Sequence, residues 1–580
     1  MTAPVIETTA EGAAESAISA VEKCIDEEKS FILEAGAGAG KTYSLVHALR
    51  YLVETRGTSL LRRRQRIACI TYTNAATDEI KARTDGHPAV MASTIHSFCW
   101  SLLVRFQSDL REELPNLSKW PDRLEESGGI GSREVKYDLG YPSAKAADAV
   151  YLSHDDVLSL MVLLLERPKF RALMLDQYPI IFIDEYQDTN RAVADALATH
   201  FLSGQTGLLL GLFGDHWQKI YRDGWGEIVD DGIVRIDKHA NFRSAPAVVE
   251  MLNRMRPELP QISAHPGEVG SVIALHANSF TGQRQTQQHW KGDLPTEVAH
   301  EYLEALMGEL TASGWDFDSL ETKVLMLTHN VLAREQGYSE LVGVFRYNEM
   351  FTKKEDAYIE FFADVLEPAS QAYADRRFGD MVSVIGGRRP VIRRHSDKAA
   401  WAADMDALSE LQDSGTVGAV VDHLLKSRRP RLPSAIEARE QEFKDLVGNP
   451  DTERPAWFEQ VEKLHAVAYS EVRALVKFIN GHTPFATKHG VKGLEFQNVL
   501  VVVGKGWNQY NFDQMLGWVA DGGPPPDKVQ TFERSRNLFY VTCSRSITNL
   551  AVLFTEKLSP SAIATLVDWF GEANVQEFQP

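Results

Sequence analysis

Short apolar runs closed by small or polar residues recur along this chain, with amphipathic stretches between them. Phe31-Ile32-Leu33, Ile67-Ala68-Cys69-Ile70, Val90-Met91-Ala92, Pro179-Ile180-Ile181-Phe182-Ile183 and Leu208 to Phe213 each read as a strand buried on both faces. Ile18, Val21 and Ile25, at helical spacing, predict a helix between a polar lead-in and the first run. From about 97 to 172 the pattern is helical, interrupted at 126–143 by a Gly-rich, polar stretch that reads as a loop. A second series of strands starts near Val324-Leu325-Met326-Leu327 and resumes at Val499–Val503 and Leu550–Phe554. Between them, at about 345–480, lies a mostly helical, charge-rich stretch that reads as an insertion. It carries two basic patches, Arg388 to Arg394 and Lys426 to Arg431, whose plain reading is a solvated face. Strands alternating with helices predict an α/β fold of parallel, doubly wound sheets. In such sheets the ligand groups gather at the carboxyl ends of the strands.

Composition narrows the class without naming a function. With 580 residues the chain is too long for one core, and about three to four domains are expected. It is 44% hydrophobic and 24% charged, ordinary for a globular protein. No run of eighteen apolar residues exists, so no membrane helix is expected, and the acidic start MTAPVIETTAEGAAES does not read as a signal peptide. Four dispersed cysteines (Cys24, Cys69, Cys99, Cys543) lack metal or disulfide spacing and fit a reducing cytoplasm. A net charge of −19 argues against coating nucleic acid by charge alone, though not against a narrow groove of specific contacts.

Chemistry enters at FILEAGAGAGKTYSLVHAL, residues 31–49. A buried strand runs into Ala35-Gly36-Ala37-Gly38-Ala39-Gly40, and Lys41-Thr42-Tyr43 opens an amphipathic helix. Glycines let backbone amides face inward, a helix N-terminus attracts anions, Lys41 reaches terminal phosphates, and the Thr42 hydroxyl suits Mg²⁺. The strict pattern fails only at its first glycine, where Ala35 stands. Asp184-Glu185 ends another buried strand. Phosphoryl transfer to water needs one carboxylate near the metal (Asp184) and one to orient and deprotonate the water (Glu185). An acidic pair alone would read as a solvated loop; here it continues as DEYQDTN.

That heptad, with AGAGAGKT upstream, resembles the UvrD/Rep-type superfamily 1 DNA helicases. The resemblance recurs in order at Ile70 to Ala76 (ITYTNAA), Ser93 to Phe98 (STIHSF), Gly214 to Tyr221 (GDHWQKIY), Asn241 to Ser244 (NFRS), Thr487 to Phe496 (TKHGVKGLEF) and Arg536 to Arg545 (RNLFYVTCSR). It implies two RecA-like parallel-sheet domains, each with a mainly helical insertion, and ATP with Mg²⁺ in the cleft between them. The implied boundaries are 1–95 with 173–265 for the first, 96–172 for its insertion, 266–345 with 481–580 for the second, and 346–480 for a reduced second insertion. By resemblance Gln218 senses the γ-phosphate and the attacking water. Arg243 and Arg545 reach across from the second domain as arginine fingers, Phe242 stacks on the adenine, and Glu495 approaches the ribose. Single-stranded DNA would meet stacking faces at Tyr72, Tyr221 and Trp225, and backbone donors at Thr71, Asn74, His96, Thr328 and His489. Of the aromatics, Trp225, in the polar loop RDGWGE, is the least core-like.

The pattern also departs from the family. No Gln precedes Gln65, so the adenine-edge contact of these helicases is absent or replaced, and their Arg after GKT is Tyr43. The insertions are short, which makes ATP-driven translocation the first expectation, 3′ to 5′ by resemblance, with duplex unwinding an addition. Only 35 residues follow Arg545, too few for a fused nuclease. The compact form, with HGVKGLEFQNVLVVV, is similar to stand-alone helicases that accompany an OLD-family nuclease in Gabija-like anti-phage systems. Two readings therefore stand: a motor on single strands or single-strand/duplex junctions, or a slow, nucleotide-gated DNA-binding subunit that recruits or activates a separate nuclease.

Overall fold

The computed structural model describes residues 9–137, 142–144, 146, 148–202, 207–219, 223–228, 230, 232–286, 290–318, 320–327, 337–345, 349–352, 354, 356–386, 394–449, 454–480, 485–487, 494–505 and 510–580. Tyr221, Thr328 and His489, three of the expected DNA contacts, lie outside them, as does most of the patch 388–394. Among the described residues no helix is long and apolar enough to cross a membrane.

Two six-stranded parallel sheets form the frame. In chain order the strands are β1 (Phe31–Ala35), β2 (Ile67–Thr71), β3 (Val90–Thr94), β4 (Glu134–Lys136), β5 (Ala149–Tyr151), β6 (Ile180–Asp184), β7 (Leu209–Gly214) and β8 (Val234–Lys238). Next come β9 (Ala240–Asn241), β10 (Ile262–Ser263), β11 (Ser271–His276), β12 (Thr322–Met326), β13 (Phe485–Thr487), β14 (Phe496–Val503), β15 (Ser546–Phe554) and β16 (Val575–Glu577). The first sheet has the order β3-β2-β6-β7-β1-β8, the second β13-β12-β14-β15-β11-β16. β4 with β5, and β9 with β10, make two small two-stranded pairs. The fold is thus the expected pair of RecA-like α/β domains.

Alternation along each strand sends neighbouring side chains to opposite faces. Phe31 and Leu33 pack with α1 (Ala10–Asp26) and α2 (Lys41–Arg62), through Val21, Ile25, Leu45 and Leu49. Ile32, Ile181, Ile183 and Leu212 face the opposite layer, which includes the helix α4 (Ile95–Leu103) and the segment beyond it. In the second sheet Val499, Val501 and Val503 meet the C-terminal helices Val529–Cys543 and Pro560–Phe570. Leu500 and Val502 join a continuous core with the helices lying between Ser339 and Ile479. That helical stretch is therefore anchored on the sheet by one shared apolar core.

Four details depart from the sequence reading. The second sheet begins at β11, about fifty residues before Val324. β8, VRIDK, is a polar edge strand that a search for apolar runs passes over. The 126–143 stretch contains β4. Asn74, which by residue type reads as an N-cap, is instead the first residue of the helix α3 (Asn74–Arg83), which is capped by Thr73 through a hydroxyl that accepts from the Ala76 N–H. All four cysteines are free and buried.

Glu556, just past β15, is 2% exposed. Burial first, then the Asp293 carboxylate, pushes its carboxyl up to about 8 from 4.5. Between those values the folded chain holds a proton that the unfolded chain has lost, so stability falls as pH rises through this window. Glu556→Gln should therefore raise the melting temperature at pH 8, by about 2–4 °C per kcal/mol released, and leave it unchanged at pH 4.5. Thermal melts at the two pH values decide this, and equal shifts at both would refute it.

Candidate nucleotide and DNA site

The phosphate loop follows β1 and ends at Gly40, which caps α2 in the left-handed conformation. Gly38 (φ 74°) and Gly40 (φ 72°) need that region, which Cβ atoms disfavour. A Cβ on Gly38 would also meet the Asn241 Oδ1 at 2.6 Å, and one on Gly36 the Gln261 amide at 2.8 Å. The Asn241 side chain donates to the Ala37 carbonyl at 3.0 Å, so loop and β9 are clasped through the gaps the glycines leave. Ala35 still belongs to β1 and has no positive φ, which explains why glycine is dispensable there. The Lys41 ammonium donates to the Ala35 carbonyl at 3.4 Å.

The acidic pair sits at the end of β6. The Asp184 carboxylate accepts from the Glu185 N–H at 3.1 Å, and Glu185 stands at φ 50°, a strained conformation for a non-glycine residue. The Gln187 amide donates to the Glu185 carboxylate at 2.5 Å and accepts from the Asp215 N–H at 3.1 Å. Thr42 and Asp184 offer only oxygen donors, which is the donor set that suits Mg²⁺.

Asp215, fully buried, organises the next motif. It accepts from the Trp217 N–H at 3.0 Å, from the Gln218 amide at 2.7 Å and from the Arg256 guanidinium at 2.5 Å. Burial works against its charge, yet Arg256 and then Lys41 hold its pKa below the usual carboxylate range. Glu34 and His216 adjoin it, with the His216 ring donating to Glu34 at 2.5 Å and the Tyr186 hydroxyl at 2.9 Å. These acids could encircle a metal ion by spacing, but Arg256 already supplies their counter-charge.

The second sheet's last helix before β15 closes the cleft. Arg545, 2% exposed, donates to the Gln218 side-chain amide oxygen Oε1 at 3.3 Å. Burial and then the neighbouring Arg243 push its pKa down to about 9. Arg243 lies between β9 and the helix Pro246–Met255, which packs on the second sheet. It donates to the Glu495 carboxylate at 2.6 Å and to the Ser544 carbonyl at 2.9 Å. Glu495, expected near the ribose, is thus an arginine partner here. Asn537 donates to the His216 carbonyl, and the Tyr540 hydroxyl accepts from the Ala37 N–H. Phe242 and Tyr43 remain exposed beside Gly40, as a base-stacking pair would be.

Thr71, Tyr72 and His96 line one pocket together with Asp184 and Glu185. The Tyr72 ring is 45% exposed; Asn74 is exposed nearby. His96 is half-buried, and burial, then His154, lowers its pKa. Thr71 is buried and bonded to Thr77 at 2.7 Å, so its hydroxyl organises the α3 turn. Trp225 is buried edge-on against Tyr186, 6.4 Å between centroids, and gives no free stacking face. A polar loop sequence misled there because the ring reaches back into the core. Sequence reasoning also missed Glu34, Lys238, Arg256 and Gln261, which lie outside recognisable motifs.

Comparison with known proteins agrees with this geometry. Residues 17–223 match a family described as "AAA domain". The chain is similar to the Gabija protein GajB of Bacillus cereus (strain HuB5-5), 24% identical over an alignment 701 positions long, covering 96% of this chain and 97% of that protein. It is also similar to the ATP-dependent DNA helicase PcrA of Staphylococcus aureus (strain Mu50 / ATCC 700699), 26% identical over 39% of this chain and 38% of the helicase. For PcrA of Staphylococcus epidermidis (strain ATCC 35984) the identity is 29% over 34% of this chain and 32% of that protein.

Removing Arg256 strands the Asp215 carboxylate in the interior, and such losses cost about 3–5 kcal/mol. Arg256→Met should lower stability by that order in a urea melt. It should also slow ATP turnover, because Asp215 anchors Gln218. Unchanged values for both would mean the network is incidental.

Proposed function

We propose that this chain, an ATP-hydrolysing enzyme built as a UvrD/PcrA-like helicase, is a translocase on single-stranded DNA. The observation that carries this reading is the Gln218–Arg545 contact, which joins the end of β7 to the second sheet's domain across the nucleotide cleft. A group touched from both domains is one whose occupancy can open or close them, and that converts hydrolysis into movement.

In this reading the loop amides and Lys41 hold the phosphates. Glu185, fixed by Gln187, takes the proton of the attacking water, and Gln218, anchored on Asp215, orients that water. Arg545 and Arg243 stabilise the charge developing on the transferred group, Arg243 exchanging its Glu495 partner for phosphate. Magnesium held by Thr42 and Asp184 would add Lewis-acid charge at the same oxygens. Phe242 and Tyr43 flank the base, a stacking arrangement that does not read the adenine edge.

The pocket beside the acidic pair supports the DNA side. Tyr72 offers an aromatic rim, while Asp155, Asp184 and Asp223 make the floor acidic, which suits bases better than phosphates. Because Glu185 lines this pocket too, DNA in it sits against the hydrolytic residue. Movement 3′ to 5′, a place in anti-phage defence and a separate OLD-type nuclease partner extend the proposal. The likeness to a Gabija protein along 96% of the chain supports the place in defence, while the polarity and the nuclease rest on the resemblance of the motifs alone.

ATP turnover should rise several-fold with single-stranded oligonucleotide and vanish in Lys41→Ala and Glu185→Gln. Tyr72→Ala should weaken oligonucleotide binding by about ten-fold or more, since a stacked base is worth about 1–3 kcal/mol, with DNA-free turnover kept. Flat, slow turnover despite tight DNA binding would defeat the motor and favour a nucleotide-gated subunit.

A further inference from the structure

Lys238 is the last residue of β8, paired in register with Ala35 at the mouth of the phosphate loop. Its side chain is 1% exposed. An ammonium has three protons to donate, and the hydrogen bond found for it goes to the Ser44 hydroxyl at 2.8 Å. Among the described residues no carboxylate lies within 4.0 Å of it. Burying a cation without a counter-ion is expensive, so the position asks for an anion.

Three features give that anion a place. The ammonium lies 3.8 Å from where a Cβ on Gly40 would stand, so the missing side chain leaves a path to the start of α2. The N-terminus of this 22-residue helix carries positive partial charge, the sign that attracts phosphate. The Phe242 ring centroid is 5.8 Å from the ammonium, and that ring too would approach a Cβ on Gly40, at 3.9 Å. Lys238 therefore lies beside both the loop and the ring that flanks the base. Burial, then the like charge of Lys41, holds its pKa down to about 8, so both lysines are relieved by a polyanion.

We propose that Lys238 is a second phosphate-binding cation of the nucleotide site, taking the phosphate nearest the nucleoside while Lys41 takes the distal ones. The inference rests on the nucleotide reading above and names a residue that the helicase-like motifs do not contain.

The test is titration of methylanthraniloyl-labelled ADP and ATP into the full chain and its Lys238→Met, Lys238→Arg and Lys41→Ala variants, with thermal melts of each without nucleotide. Lys238→Met should weaken ADP and ATP by the same factor, about ten-fold, the size of one charge-assisted hydrogen bond. Lys238→Arg should retain most of the affinity, and Lys41→Ala should lose more for ATP than for ADP. Nucleotide-free Lys238→Met should melt no lower than wild type, because an uncompensated buried charge has gone. Wild-type affinity in Lys238→Met, or a loss matched by a lowered melting temperature, would overturn the proposal in favour of a structural lysine. A loss confined to ATP would overturn the assignment to the proximal phosphate. Wild type that binds neither nucleotide would sink the nucleotide reading itself, a separate failure.

Discussion

A carboxylate taken entirely out of water must be surrounded by donors, and here that group is Asp215. Its bonds to Arg256, Gln218 and the Trp217 N–H fix the turn after β7 in one geometry. Arg256 comes from the end of the helix Pro246–Met255, which packs on the second sheet, so the ion pair also ties the two domains together. Trp217 and Tyr540 meet edge-on beside it, 5.4 Å between centroids, and Arg536 stacks on the Trp217 ring at 3.8 Å. Gln218, and through it the contact to Arg545, is set by these bonds. A buried pair of this kind contributes little net stability, but breaking it is costly, which makes its geometry hard to change.

Charge is distributed by site, and this resolves the apparent conflict between a net charge of −19 and a polyanionic ligand. Arg545, Arg243, Lys41 and Lys238 converge on the nucleotide cleft with the N-terminus of α2. Burial, and then a like-charged neighbour (Lys41 at Lys238, Arg243 at Arg545), pushes the pKa down to about 8 at Lys238 and about 9 at Arg545. The pocket that Glu185 helps line carries the Tyr72 ring and the carboxylates of Asp155, Asp184 and Asp223. The same catalytic strand ends thus face a cationic chamber and a stacking chamber. Glu185 lines the second of these and is held by its Gln187 tether.

Much of this was legible along the chain. The buried parallel strands announce themselves as short apolar runs, since both faces of such a sheet are covered. Gly38 and Gly40 are legible because only glycine adopts their backbone geometry freely. Asp184-Glu185 is legible because the carboxyl end of a buried strand is where the fold opens to ligand. β8 was not legible: its alternating polar residues are those of an edge strand. Trp225 was misread because a polar loop says nothing about where a long aromatic side chain turns. Thr71, expected at DNA, is spent on the turn of α3.

What the chain determined by itself is therefore local: strand runs, the phosphate loop, the acidic pair and the order of the motifs. These depend on backbone conformation and on residues adjacent in sequence. Tertiary structure alone decided that Arg256 holds Asp215, that Gln261 and Asn241 fill the spaces beside Gly36 and Gly38, and that Lys238 lies under the loop. It likewise decided that Glu495 is Arg243's partner. Each of these pairs residues between 20 and about 250 positions apart. Their energies come from burial and mutual distance, quantities that exist only once the sheets have brought those positions together.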